Sequence, residues 1–85
     1  RFGLISQIRR SVVSVSSNIA EGFGRRTMID KRHFYDMAIG SLYEMQNQLI
    51  LSKDLSYISE NKFHQSWEKT LTTNRLLNGL IKSLF

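Results

Sequence analysis

Apolar residues in the first third of the chain recur at intervals of three and four. Ile5, Ile8, Val12, Val15 and Ile19 fall on one helical stripe. The spacing predicts a helix from about Gly3 to Ala20. Val12, Val13 and Val15 are β-branched and slightly poor helix formers, so packing rather than propensity has to hold it. Gly22 and Gly24 are expected to stop it, because glycine readily takes the left-handed conformation past a helix end.

A second helix is predicted from near Thr27, with Asp30 three residues on in a near-capping-box arrangement, to Lys53 or Asp54. Tyr35, Ala38, Leu42, Met45 and Leu49 form its main stripe. Ile39, Tyr43 and Ile50 form another on a different side. A helix apolar on two sides calls for two neighbours, and the second stripe is the expected oligomer interface. Ala38, Gly40 and Ser41 are small enough to let a helix approach. A third helix is predicted after Ser59, a good N-cap residue. Phe63, Trp67, Thr70, Asn74, Leu77, Ile81 and Leu84 repeat as a heptad, widened by Leu71, Leu76 and Leu80.

No sustained alternation of the kind expected of strands occurs. The connections are short, which favours antiparallel neighbours. The prediction is therefore all-α: an antiparallel up-and-down helical bundle in one domain over residues 1–85. Each helix would be about 30–38 Å long. Three such rods with excess apolar surface on the middle one make an incomplete bundle. Either a fourth helix precedes Arg1 or another subunit covers the face. The sequence opens on Arg1 rather than Met, and a further segment upstream is expected.

Composition narrows the function classes. The balance of 41% hydrophobic and 22% charged residues is that of a folded domain. With no cysteine there is no disulfide framework, thiolate nucleophile or thiolate metal site. That fits a reducing compartment, and the cytoplasm is the expected location. No apolar run approaches the ~20 residues that cross a bilayer, so no membrane partner is expected.

The net charge of +5 is unevenly placed. Residues 1–35 hold seven basic side chains (Arg1, Arg9, Arg10, Arg25, Arg26, Lys31 and Arg32) against Glu21 and Asp30. Residues 36–85 are balanced at five of each sign. The whole excess lies in the first part, which raises the expectation of a polyanionic partner; the plainer reading is a solvated basic face. Arginine suits bidentate phosphate contacts. Arg9, Arg10, Arg25, Arg26, Lys31 and Arg32 are the candidate nucleic-acid contacts. No aromatic-rich ribbon suggests base stacking, so backbone charge and shape would carry recognition.

Catalytic and metal chemistry find little footing. His33 and His64 lie on different predicted helices, and neither has a second His at metal-ligand spacing. No serine has a legible His–Asp arrangement. Gly22-Phe23-Gly24 before Arg25-Arg26 lacks both the Walker and the dinucleotide pattern, and reads as a helix terminator with a basic exit. Asn18 and Glu21 share a helical face and are expected to form a structural polar lock at the first corner, with an Arg as the partner of Glu21. No catalytic residue, metal, cofactor or small-molecule substrate is expected, and the protein is read as a non-enzyme.

The residues resemble a known family. Gly3-Leu4-Ile5-Ser6-Gln7-Ile8-Arg9-Arg10, then Ser14-Val15, then Asn18-Ile19-Ala20-Glu21-Gly22-Phe23-Gly24-Arg25 form one signature. Ala38-Ile39-Gly40-Ser41 with Glu44 forms a second. Leu55-Ser56-Tyr57-Ile58 and the leucine-rich run from Leu76 to Leu84 fit as well. The chain thereby resembles the four-helix-bundle proteins encoded in intervening sequences of bacterial 23S ribosomal RNA genes, over nearly its whole length. The resemblance implies an N-terminal helix upstream of Arg1. It also implies likeness to the accessory variability protein of diversity-generating retroelements, a ring-shaped basic pentamer held to bind nucleic acid and a reverse transcriptase. Self-association, with a pentamer as the form implied, and RNA or DNA binding follow as expectations. The alternative is a scaffold subunit with an acidic protein partner.

Overall fold

A computed structural model of the chain describes residues 2–84. Arg1, counted in the basic excess, lies outside them. Three helices follow one another: α1 (Phe2–Gly24), α2 (Met28–Asp54) and α3 (Glu60–Leu84). No strand occurs among the described residues. The connections are three and five residues long, and each turns the chain back on itself. The molecule measures 43 × 21 × 13 Å, so its long dimension is close to the length of one helix.

The helix starts follow the expected capping chemistry. The Thr27 hydroxyl accepts from the Asp30 backbone N–H at 3.1 Å, and the Ser59 hydroxyl accepts from that of Lys62 at 3.1 Å. Each satisfies one of the donors that a helix start leaves without a partner. The end of α1 departs from expectation. It runs to Gly24, and no glycine among the described residues takes a positive φ.

Gly22 is instead needed for close approach. A Cβ there would run into the Tyr35 ring, meeting Cδ1 at 2.8 Å. Among the described residues the one in the left-handed region is Ser56, with φ 60° after α2. Tyr57 N–H donates to Ser52 O at 2.8 Å and Ser56 N–H to Lys53 O at 2.9 Å. This is the paired-bond helix end that glycine usually supplies.

α2 is the central rod. It packs against both neighbours, whereas the α1 and α3 backbones do not come into contact among the described residues. The core holds Val15 from α1, Tyr35, Ala38 and Leu42 from α2, and Leu77 from α3. The expected main stripe of α2 is buried as far as Leu49, with Met45 half-buried. On α3 the heptad positions Phe63, Thr70 and Leu77 are buried.

The α1 stripe is the exception. Val15 is buried and Ile8 and Ile19 are half-buried, but Ile5 is 36% and Val12 45% exposed. The residues of α1 pressed on α2 include Ser11 and Gly22 instead. Ile8 and Val12 open onto a cleft of about 270 Å³, floored by Met45 and Leu49 and walled by Thr70 and Thr73. The apolar stripe of α1 thus borders the space between α1 and α3 as much as the seam with α2.

Candidate nucleic-acid interface

The α1–α2 corner is built from cations. α1 carries no basic residue in its last turn, so its terminal carbonyls lack a charge of their own helix to meet them. Lys31, one turn into α2, reaches back instead. Its Nζ donates to Gly22 O at 3.1 Å and Phe23 O at 3.0 Å. Phe23 meets Tyr35 edge to face, with ring centroids 6.1 Å apart. The Arg25 guanidinium lies 4.5 Å from the centroid of the Phe34 ring. Arg25 also pairs with Glu21 at 3.0 Å, and Arg32 with Asp36 at 3.5 Å. Both are exposed i,i+4 pairs, worth about 0.3–0.5 kcal/mol, and both leave their arginines open to water. Arg26 has no ion-pair partner among the described residues.

The six candidate cations therefore do not form one patch. Arg25, Arg26, Lys31 and Arg32 gather at the corner, interleaved with Glu21, Asp30 and Asp36. Arg9 and Arg10 sit about 22 Å down α1 from Arg25, at 1.5 Å per residue. Adjacent helical residues point about 100° apart, so Arg9 and Arg10 face different ways. Arg10 lines a polar cleft between α1 and α2; Arg9 does not. Neither has an ion-pair partner among the described residues. Lys31 is committed to the α1 terminus.

The two residues expected to form a polar lock have separate duties. Asn18 donates to Ser14 O at 2.9 Å and to Ser14 Oγ at 3.2 Å. Ser14 Oγ in turn meets Ser41 Oγ on α2 at 2.7 Å, so Asn18 joins the helix seam through Ser14. Glu21 finds the arginine expected of it, but the pair with Arg25 is exposed and stays within the α1 end. The bridge across the corner is made by Lys31. The sequence carried one signal for this: a lysine four residues past the Thr27 cap is well placed to meet the preceding helix end.

The α1–α2 seam is otherwise a run of small polar groups. Ser11 Oγ donates to Gln48 Oε1 at 3.1 Å, beside the Ser14–Ser41 pair. Ala38 is fully buried, in keeping with its expected role in close packing. Gly40, by contrast, has nothing within 4 Å of where a Cβ would stand, so no close approach depends on it. On the side of α2 carrying the second stripe, Ile39 packs half-buried against the core. Tyr43 remains 56% and Ile50 37% exposed.

Among the described residues no group of three His, Asp or Glu side chains comes together as a metal ligand set. No described helix is long and apolar enough to cross a membrane. No curated protein matches the chain in sequence. A family model does: that of the 23S rRNA-intervening sequence proteins, over residues 1–79. With that match running through α1, α2 and most of α3, the chain belongs to the 23S rRNA-intervening sequence protein family.

Proposed function

We propose that the chain is a non-enzymatic, self-associating protein of the cytoplasm that binds RNA or DNA through phosphate contacts on its first two helices. The observation that carries this reading is the set of unpaired arginines, Arg9, Arg10 and Arg26, on the part of the chain that holds all the excess charge. Three guanidinium groups without a carboxylate partner are forks for bidentate phosphate contact. Arg25 and Arg32 add to them, since exposed pairs exchange readily for phosphate. The family's name, tied to 23S rRNA intervening sequences, supports a nucleic-acid setting.

Electrostatic binding of this kind weakens linearly in log affinity against log salt, with a slope near 0.9 per phosphate neutralised on duplex DNA and about 0.7 on single strands. Titrating a structured RNA across salt concentrations measures it. Replacing Arg9, Arg10 and Arg26 together with Gln should flatten the slope by roughly two to three and remove most of the affinity, with helicity unchanged. Absence of binding at low salt would overturn the reading.

Exposed Tyr43 and Ile50 favour a protein contact on α2, which we assign to self-association, with the pentamer that the resemblance implies as the expected form. Tyr43→Glu with Ile50→Glu should lower the mass seen by sedimentation. A wild-type monomer at micromolar concentration would exclude self-association. An acidic protein partner is the competing reading, and a pull-down that survives nuclease treatment would support it.

A further inference from the structure

The polar cleft between α1 and α2 has a volume of about 580 Å³, within the range of sites that hold a small ligand. Its chemistry is specific. Arg10 borders it from α1 and Glu44 from α2. Although both border one cleft, they are not paired with each other or with any other described residue. Gln7 and Gln48 add amides. The Gln48 carbonyl already accepts from Ser11, which leaves its NH₂ to donate. The Ser14 and Ser41 hydroxyls share one hydrogen bond in which either can donate, so one hydroxyl proton of the pair is left for a further acceptor. The cleft thus offers a cationic fork, several neutral donors and one carboxylate.

We infer that this cleft receives an unstacked guanine base of a single-stranded nucleic acid. The inference rests on the nucleic-acid reading above and names what that site selects. An ionised carboxylate accepts two hydrogen bonds side by side. Guanine is the base whose Watson–Crick edge presents two adjacent donors, N1–H and the 2-amino group. Adenine and cytosine set an acceptor beside their amino group, and uracil flanks its one N–H with two carbonyls. An arginine fork matches guanine O6 and N7, the commonest specific contact to a base. Guanine therefore satisfies Glu44 on one edge and Arg10 on the other; in that complex Arg10 reads the base, and Arg9 and Arg26 remain the unpaired phosphate forks. Bases splayed out of single-stranded loops are recognised on these two edges. The serine hydroxyls and glutamine amides serve the remaining polar atoms.

Two labelled uridine decamers, one with a single central guanosine and one without, test this against the 85-residue chain at low salt. The guanosine strand should bind about tenfold tighter, the gain of one good bidentate contact. Inosine, which lacks the 2-amino group, should lose most of that gain without any change to the protein. Glu44→Gln removes a negative charge beside Arg10, so it should bind the plain uridine strand at least as tightly as wild type does and still lose the guanosine preference, with helicity checked by circular dichroism. Equal affinity for the guanosine and uridine strands would overturn the guanine site and leave the phosphate-binding reading standing. No binding of either strand would overturn both. An inosine strand that binds as tightly as guanosine would remove Glu44 from the contact and overturn the assignment.

Discussion

The two seams of α2 are made from different chemistry. Toward α3 the contact is a heptad of large groups, with Phe63 and Leu77 buried and Trp67 stacked on Phe63 at 5.5 Å between centroids. Toward α1 Val15 and Ile19 are joined by small and polar groups: Ser11 to Gln48, Ser14 to Ser41, and Gly22 under Tyr35. An apolar seam is held by surface removed from water, is non-directional, and scales with area. A seam of hydroxyls gains only about 1 kcal/mol net per hydrogen bond, and its advantage is that small groups let the backbones close in. The difference explains why bulky Ile5 and Val12 stand beside the α1–α2 contact instead of inside it.

The largest effects should separate these two regimes. Leu77 is fully buried, and Leu77→Ala should cost about 2–5 kcal/mol through lost transfer energy and the cavity left behind. Val12→Ala, on a side chain almost half exposed, should stay within about 0.5 kcal/mol. Urea denaturation of both at one protein concentration makes the comparison. Equal losses would show that the cleft between α1 and α3 is filled in solution and that the α1 stripe belongs to a core.

Glycine positions on α1 form the next contrast. Gly22→Ala must displace the Tyr35 ring, itself 2% exposed, and should cost about 1–3 kcal/mol as an overpacked contact does. Gly24→Ala meets nothing within 4 Å and should cost no stability. If both glycines tolerate alanine alike, the tight approach at the corner is not what fixes α1 on α2.

This contrast also decides what was legible in the sequence. Period located α2 and α3 and most of their buried residues, because there most packed positions are apolar; it missed Ser52, a polar residue buried near the end of α2. Thr27 and Ser59 marked two helix starts for the same reason that they cap them. On α1 the period was right and the face was shifted, since periodicity weighs Ile5 and Val12 above Ser11 and Ser14. Nothing in a hydropathy pattern marks a serine as a seam residue. The cation cluster suffered a related failure. Charge counting cannot tell Lys31, spent on two carbonyls, from Arg26, which is not. Nor does it show that Arg9 and Arg10 lie a third of a helix turn apart. The polar cleft needed two helices to be placed, although Arg10, Ser14, Ser41 and Glu44 all stand in the signatures that carried the family resemblance.

A double-mutant cycle at Ser14 and Ser41 measures the polar seam directly. The pair at 2.7 Å should show a coupling of about 0.5–1.5 kcal/mol, from Ser14→Ala, Ser41→Ala and the double variant. The corresponding pair on the other side, Gln46 to Thr70 at 3.0 Å, is one polar contact within an apolar seam and should couple by a similar amount. What should differ is its share of the total. Removing both Ser11 and Ser14 hydroxyls should loosen α1 from α2 and speed amide exchange along α1 before α3. Uniform exchange across all three helices would mean that the seams are of equal strength.

The smallest expected effect compares the two ends of α2. At its start a charged side chain, Lys31, closes the corner through two carbonyls; at its end the backbone turns through Ser56 in the left-handed region, with Lys53 over the Phe63 ring at 4.7 Å. An L-residue in that conformation costs roughly 1–2 kcal/mol, and glycine avoids most of it while giving up unfolded-state entropy of about 0.5–1 kcal/mol. Ser56→Gly should therefore stabilise the fold by about 0.5–1 kcal/mol, in the direction opposite to every other substitution considered. Lys31→Met should destabilise by about 0.3–1 kcal/mol, the usual worth of a cation at a helix C-terminus, and less at high salt. The Ser56→Gly gain should not change with salt, because no charge is involved. Thermal unfolding of both variants at low and high salt tests the pair, and a salt-dependent gain at Ser56 or a salt-independent loss at Lys31 would refute the division of labour between the two ends.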